Sequence, residues 1–207
     1  MSKSGPEAAQ RETRFGPVRV IAGERDGRYP QGNSLLVEGG RESLLVDPSL
    51  ALVGAAALPR AHRILNSHCH EDHIAGNHLY PGVPWLVHEA DRVGFRSLDD
   101  MMAIYGFDED TDRVFRRIVV EQFHYRPRPE AGALAEADRF DLGGVSLEVL
   151  HTPGHTRGHC CFLIEWPEAG RVRRLLYLGD IDLSSFGPYY GDAWSDLADF
   201  ERSLARV

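Results

Sequence analysis

The sequence predicts a single α/β domain built in layers, on three observations. Residues 17–47 alternate short apolar runs with Gly and charged turns, which is typical of a meander of antiparallel strands. From residue 62 to residue 97 apolar strands alternate with helical segments, and strand patterns return between residues 138 and 180. With 207 residues and 43% hydrophobic content, the chain is long enough for one sizeable core.

The predicted elements follow in a fixed order along the chain. Residues 1–15 are expected to be a disordered leader, and residues 16–207 to form the domain. Strands are predicted in PVRVIAG, GNSLLVEGG, RESLLVDPS, HRILN and PWLVHE, and then in DRFDLGG, VSLEVLHTPGH, HCCFLIEW and RRLLYLGD. Short helices are predicted in SLALVGAAALPRA, DHIAGNHLYPG and ADRVGFRS, and SDLADFERSLARV is predicted to be an amphipathic helix.

A helical insertion is predicted at about residues 97–128, where apolar residues recur at helical spacing. Two interpretations are open. The insertion either packs against the core or forms a lid or substrate wall. The side chains that would form such a wall are Met101, Met102, Tyr105 and Phe107.

Composition limits the classes of partner. A formal net charge of −8 disfavours binding to nucleic acid and to anionic membranes, so a small-molecule partner is favoured. The cysteines are Cys69, Cys160 and Cys161, an odd number with an adjacent pair, which favours a reducing compartment. The N-terminus lacks the apolar segment of a signal peptide, and no apolar run is long enough to span a bilayer. We therefore expect a cytoplasmic protein.

The segment HCHEDH concentrates metal-ligating side chains directly after the predicted strand HRILN. In an extended segment alternate side chains face the same way, so His68 and His70 can reach one point while Cys69 faces elsewhere. If a helix begins at about residue 71, Asp72 and His73 lie on its first turn and can reach an adjacent point. Imidazole and carboxylate together suit zinc, iron or manganese.

Further ligands are available after two other strands. His155 follows the strand VSLEVL through a Pro-Gly turn, and Asp180 ends the strand RRLLYL in Gly-Asp. Side chains on loops at strand ends are commonly brought together by a rigid sheet. Both residues are therefore expected to meet the histidine cluster.

The order HCHEDH, TPGHT and LGD, preceded by GNSLLVEG and LLVDPS, resembles the metallo-β-lactamase superfamily, most closely its glyoxalase II and related hydrolase branches. The resemblance extends over about residues 17–185. It implies an αββα sandwich with a binuclear metal site at one edge of the sheets. The ligands implied by motif position are His68, His70 and His155 for the first metal, Asp72 and His73 for the second, and Asp180 bridging both.

Other polar residues near these motifs receive plainer interpretations. Asp47, in LLVDPS, either orients a ligand histidine or is a turn residue. Cys69 is interpreted as a small buried side chain rather than a thiolate ligand. The histidines not assigned to metal are His62, His78, His88, His124, His151 and His159. Of these, His151 and His159 flank His155 and are interpreted as structural or as supports for the ligands.

The family pattern places one more histidine well after the bridging aspartate, and here none follows His159. Three explanations are open. The chain lacks the C-terminal strand and helix of the sandwich, in which case exposed sheet edges would favour self-association into a homo-oligomer. Alternatively, it works with one metal or holds the second through water. Finally, the second site is degenerate or is completed by another chain.

The leading functional hypothesis is a zinc-dependent hydrolase with one or two ions. A bound metal lowers the pKa of water to about 7 and so supplies hydroxide for attack on an ester, thioester or lactone. Asp72 would either ligate the second ion or take the proton of the nucleophile. One alternative is a persulfide dioxygenase, with one iron on His68, His155 and Asp180. Another is a non-catalytic or truncated metal-binding module.

Overall fold

A computed structural model describes residues 11–181 and 191–207. Its strands are β1 (Arg11–Phe15), β2 (Val18–Ala22), β3 (Ser34–Glu38), β4 (Ser43–Val46), β5 (Arg63–Leu65), β6 (Trp85–His88), β7 (Gly132–Leu134), β8 (Arg139–Asp141), β9 (Ser146–His151), β10 (Cys160–Glu168) and β11 (Arg171–Tyr177). Its α-helices are α1 (Glu24–Gly27), α2 (Glu71–Ile74), α3 (Val93–Arg96), α4 (Leu98–Tyr105), α5 (Glu109–Glu121) and α6 (Leu197–Leu204). Short 3-10 turns cover Leu50–Leu52, Asn77–Leu79 and Glu89–Asp91.

The strands form two sheets. In the first, the order is β1-β2-β3-β4-β5-β6-β7, antiparallel as far as β4 and parallel from β4 to β7. The second sheet is antiparallel throughout, in the order β11-β10-β9-β8. The parallel strands place the ends of β4 and β5 at the same edge of the first sheet, which is where the histidine cluster begins.

Strand alternation creates separate cores on the two faces of the first sheet. On β4, Leu45 faces a helix-side cluster with Phe95 and Met101, whereas Leu44 faces a cluster between the two sheets that includes Phe162. Helix α6 covers the outer face of the second sheet. There Phe200 packs with Cys161 and Ile181. The layers are therefore helices, sheet, sheet and helix, which confirms the predicted αββα sandwich.

Three local features differ from the sequence predictions. Residues 11–15 form strand β1 rather than the end of a disordered leader, because all five residues pair with β2 although each of them is exposed. Residues 1–10 of that leader lie outside the described residues. Strand β7 was not predicted, since its sequence Gly-Ala-Leu is too short and too weakly apolar to stand out. The helix expected in SLALVGAAALPRA is only the 3-10 turn Leu50–Leu52, and Gly54, with φ +80°, follows it.

The predicted helical insertion contains α4 and α5. Ser97 caps α4 by accepting a hydrogen bond from the backbone N–H of Asp100, and Asp108 caps α5 in the same way. Met101 and Met102 are buried in the helix-side core. For these two methionines the core-packing interpretation is therefore the correct one.

Among the described residues, no helix has the length and hydropathy needed to cross a membrane.

Candidate metal centre

The histidine cluster lies just beyond the end of β5, and its first two imidazoles converge with that of His155 on one point. Helix α2 begins at Glu71 as predicted, and His70 precedes it in extended backbone (φ −68°, ψ 151°). The Nε2 atom of His155 lies 3.2 Å from Nε2 of His68 and 2.9 Å from Nδ1 of His70. These three side chains form a group able to hold one metal ion.

A second group lies beside the first and shares His68 with it. It consists of His68, His73 and Asp180. The Nε2 atom of His73 is 3.0 Å from Oδ1 of Asp180, and Oδ2 of the same carboxylate is 3.4 Å from Nε2 of His155. Asp180 therefore faces both groups, one with each oxygen. Oδ2 of Asp72 lies 3.8 Å from Nε2 of His73, at the side of the second group.

The donor set fits a bound cation. His68 is completely buried, and burial together with the charge of His73 lowers its pKa well below the ordinary value, so the ring is neutral and offers a lone pair. Ring nitrogens directed at one another at about hydrogen-bond distance repel unless a proton or a cation lies between them. Neutral imidazole and carboxylate are suitable ligands for zinc, iron or manganese.

The acidic residues of the cluster have shifted pKa values. Burial raises the pKa of Asp72 to about 7, although the charge of His73 opposes this shift. Burial would also raise the pKa of Asp180, but His73 outweighs it and lowers that pKa well below the ordinary value. Burial would lower the pKa of His73, yet Asp180 and Asp72 outweigh it and raise the pKa. The protonation states of Asp72, His73 and Asp180 therefore depend on one another.

Asp47 orients two of the histidines, His73 directly and His68 through Ser67. Its Oδ2 lies 2.8 Å from Nδ1 of His73, and it accepts hydrogen bonds from the hydroxyls of Ser67 and Tyr177. The Ser67 hydroxyl in turn lies 2.9 Å from Nδ1 of His68. Because Nδ1 is engaged in both rings, each directs Nε2 into the candidate site. Of the two interpretations of Asp47, the structure supports the orienting one.

His159 supports the loop that carries Asp180. Its Nε2 accepts a hydrogen bond from the Asp180 backbone N–H at 3.0 Å, while Nδ1 lies 3.1 Å from the carbonyl oxygen of Thr152. Burial lowers the pKa of His159 to about 3, so this ring is a neutral acceptor. Gly179 has φ +57°, and a Cβ there would lie 2.5 Å from Nε2 of His159. The LGD glycine is thus required for close approach as well as for the turn.

The loop that carries His155 is anchored from two sides. Asp91 is fully buried and accepts hydrogen bonds from the Thr156 hydroxyl and the Gly158 backbone N–H, both at 2.6 Å. The Ser195 hydroxyl donates to the carbonyl oxygen of His155 at 2.8 Å. Neither Asp91 nor Ser195 belongs to a motif that marks it in the sequence.

His70 has its own carboxylate neighbour, which the sequence analysis missed. Oδ2 of the buried Asp192 lies 2.7 Å from Nε2 of His70. Burial would lower the pKa of His70, but Asp192 outweighs burial and raises the pKa to about 9 in the metal-free protein. On the other side, the ring of Tyr105 stacks on His70 with centroids 5.1 Å apart. Tyr105 is therefore the one residue of the proposed substrate wall that contacts a site histidine among those described.

The remaining candidates lie away from the two groups. Cys69 is completely buried between the histidines, and burial raises the pKa of its thiol well above the ordinary value, so it is a neutral side chain as predicted. The ring of His78 lies beside that of His124 at a tilt of 42°, and the ring of His88 stacks on that of His151. The loop DLSSFGPYYGDAW, predicted to follow Asp180, lies outside the described residues between positions 182 and 190.

Comparison with known proteins gives matches of sequence and of fold. Residues 27–200 match the family model for the metallo-beta-lactamase superfamily. The chain is 26% identical over 215 residues to an atrochrysone carboxyl ACP thioesterase of Passalora fulva, covering 98% of this chain and 53% of the relative. It is 32% identical over 146 residues to a hydroxyacylglutathione hydrolase of Synechococcus sp., covering 68% of this chain and 45% of the relative.

The FEZ-1 metallo-beta-lactamase from Legionella gormanii has a similar fold, with a TM-score of 0.65 at 18% identity, covering 92% of this chain and 72% of that structure. The chain spans about half the length of the curated relatives that it matches. The family match covers most of the chain and includes all six predicted ligand positions. This chain therefore belongs to the metallo-beta-lactamase superfamily.

Proposed function

We propose that this protein is a metal-dependent hydrolase of small-molecule thioesters, esters or lactones. The observation that carries the proposal is the position of Asp180, whose two oxygens face two adjacent ligand groups that share His68. A pair of neighbouring metal sites with a common carboxylate suits the activation of water for attack on a carbonyl. Zinc is the proposed metal, in one or two ions.

The proposed ligands are divided as the motif order implies. His68, His70 and His155 would hold the first ion, Asp72 and His73 the second, and Asp180 would contact both. A metal bound there would supply a Lewis acid and hydroxide at neutral pH. Asp47 and Ser67 would keep the histidine rings in the orientation that ligation requires.

Asp72 is the proposed proton acceptor when the second site is empty. Its carboxylate borders the second group, and burial raises its pKa to about 7. A carboxylate of that pKa can accept a proton from a nucleophilic water and release it again near neutral pH. Its Oδ2 atom is the acceptor in this scheme. When the second site is filled, the same side chain would serve as a ligand instead.

The proposed substrate class is supported by the named activities of two relatives, a thioesterase and a hydroxyacylglutathione hydrolase. The net charge of −8 also favours a small molecule over nucleic acid or an anionic membrane. We propose a cytoplasmic location because Cys69, Cys160 and Cys161 are all unpaired, buried thiols.

The test combines metal analysis with a substrate panel. Purified protein should contain zinc and should release free thiol from acyl thioesters or open lactones, and chelation should abolish that turnover. His68→Ala should remove metal and activity together. His62→Ala is the matched control, since His62 lies just before the opposite end of the same strand β5 and is exposed.

Two results would contradict the proposal. Stoichiometric iron with oxygen uptake on a persulfide would indicate oxidation instead of hydrolysis. Metal binding that His68→Ala removes, without any turnover across the panel in the wild type, would indicate a non-catalytic metal-binding module.

A further inference from the structure

We propose that Asp192 is a positioning residue that holds His70 with its Nδ1 lone pair directed into the first ligand group. The inference rests on the proposed metal site but not on the proposed reaction. It assigns a role to the segment Gly191–Asp196, which follows the undescribed residues and carries none of the recognised motifs.

The geometry around the His70 ring defines which nitrogen can carry the proton. Nε2 lies 2.7 Å from Oδ2 of Asp192, and Nδ1 lies 2.9 Å from Nε2 of His155. An ionised carboxylate only accepts, so the nitrogen facing it must carry the hydrogen. In a neutral imidazole the other nitrogen, Nδ1, is then a lone pair that faces the first group. The carboxylate thus selects the tautomer that can ligate a metal.

The carboxylate has no competing use among residues 11–181 and 191–207. Asp192 is only 6% exposed, and neither of its oxygens meets hydrogen-bond geometry with any group in that part of the chain, so the 2.7 Å ion-pair contact with Nε2 of His70 is the contact that its carboxylate makes there. A buried carboxylate without a charged or hydrogen-bonding partner is costly. His70 is the group that offsets this cost, and it does so at the edge of the ligand cluster.

The backbone around Asp192 holds the carboxylate in place. The N–H of Ala193 donates to the carbonyl oxygen of Tyr105 at 3.1 Å, and the N–H of Asp196 donates to that of Gly154 at 2.8 Å. The segment therefore connects the end of α4 to the loop that carries His155. Close approach is possible because residue 106 is glycine: a Cβ there would lie 2.5 Å from Cβ of Ala193.

A purely structural role for Asp192 predicts different behaviour from a positioning role. If the side chain only anchored the segment, its removal would lower stability and leave metal affinity unchanged. If it orients His70, its removal frees the ring to rotate or to change tautomer, and the first site weakens even in folded protein. Loss of a carboxylate behind a ligating histidine typically costs 10-fold to 100-fold in metal affinity.

The experiment compares Asp192→Ala and Asp192→Asn with Asp196→Asn. Asp196 is the matched control because it lies in the same segment but caps α6 through the Asp199 N–H and touches no site histidine. Zinc affinity is measured by competition with a chromophoric chelator, and histidine ¹⁵N NMR of the zinc-loaded protein reports which ring nitrogen of His70 carries hydrogen. Thermal melting checks folding.

We expect Asp192→Ala to lose about 10-fold to 100-fold in zinc affinity, with a changed His70 ¹⁵N pattern. Asp192→Asn should lose less, because its amide oxygen can still face Nε2 of His70. It is also the variant to measure if Asp192→Ala does not fold. Asp196→Asn should bind like the wild type. The inference is overturned if both Asp192 variants bind zinc within about 2-fold of the wild type with an unchanged ¹⁵N pattern. An inactive wild type whose zinc affinity still depends on Asp192 would sink the hydrolase proposal alone.

Discussion

Oδ2 of Asp47 lies 2.8 Å from Nδ1 of His73, at the point where strand β4 ends. Through the hydroxyl of Ser67 the same carboxylate also reaches Nδ1 of His68. One buried side chain therefore fixes the orientation of a histidine in each candidate ligand group. Asp47 has φ +45°, a region in which Asp and Asn are tolerated better than most residues, so the backbone also limits what can replace it.

Asp47→Asn should therefore weaken metal binding without disturbing the turn. Asparagine adopts the same backbone conformation, but it lacks the charge and presents one acceptor oxygen to four donors. We expect zinc affinity to fall by about 10-fold or more. Asp26→Asn is the matched control, since Asp26 is also left-handed (φ +61°) but exposed and paired with Arg11. Equal affinities for the two variants in a chelator competition would contradict the orienting role.

Phe200 is expected to stabilise both helix α6 and the loop that carries His155. It is 1% exposed and packs with Cys161 and Ile181, and its backbone lies so close to Gly154 that a Cβ there would be 2.3 Å from the Phe200 nitrogen. Phe200→Ala should lower the free energy of unfolding by about 3–5 kcal/mol, because it leaves a cavity. Leu197→Ala, on the same helix but 50% exposed, should cost less than about 1 kcal/mol. Denaturant unfolding of both variants tests this difference.

The sequence predicted the six candidate ligands because each belongs to a short motif at a strand end. Spacing within HCHEDH indicates that four of them converge, and the strand-end positions of His155 and Asp180, together with the family resemblance, indicate that these two join them. Asp192 and Ser195 could not be predicted in this way. Their contacts with His70 and His155 depend on how a segment far along the chain packs between the end of α4 and the loop that carries His155. Asp47 could be predicted only as one of two alternatives, since a turn aspartate and an orienting aspartate look alike until the tertiary fold brings His73 to it.

The layered fold was predictable because short runs of consecutive apolar residues indicate strands with two buried faces, as at Leu44 and Leu45 on β4. Two strands, β1 and β7, depend on their pairing partners and could not be predicted from the local sequence pattern. Every residue of strand β1 is exposed, and the strand forms because its backbone pairs with β2. Strand β7 forms because β6 offers a parallel edge to pair with. Neither strand has the apolar composition that sequence patterns detect.

Gly179→Ala should destabilise the turn that presents Asp180. The residue has φ +57°, and the added Cβ would lie 2.5 Å from Nε2 of His159, the atom that accepts the Asp180 N–H. We expect a cost of about 3 kcal/mol, from backbone strain and from the steric clash. Gly170→Ala separates the two effects, because Gly170 has φ +74° but no atom within 4 Å of the position that its new methyl group would occupy. That control should cost about 1 kcal/mol. Similar losses in urea unfolding would show that the contact with His159 is unimportant.

Stability should fall between pH 6.5 and pH 4 through His88. Its ring stacks on His151 with centroids 3.9 Å apart, and Nδ1 accepts from the Ala90 N–H. Burial, aided by His151, lowers the pKa of His88 from 6.5 to about 4, although Glu89, Glu136 and Asp138 oppose the shift. In that pH range the unfolded chain binds a proton at this histidine that the folded ring does not, so acidification favours unfolding. The stability that the neutral ring contributes above pH 6.5 is therefore fully lost below pH 4. After allowance for solvent access, we expect a loss of about 1–2 kcal/mol.

The measurement is the free energy of urea unfolding at pH 7 and pH 5, compared between the wild type and His88→Asn. Asparagine keeps a side-chain acceptor for the Ala90 N–H but does not titrate, so the variant should lose less stability on acidification than the wild type does. Titrating groups that do not interact with His88, including the metal site, are common to both proteins and cancel in the difference. His62→Asn is the control for replacing a histidine by asparagine at an exposed position away from His88. An NMR titration that places the pKa of His88 near 6.5 would refute this prediction, because the folded and unfolded chains would then bind the proton equally and acidification would cost no stability through His88.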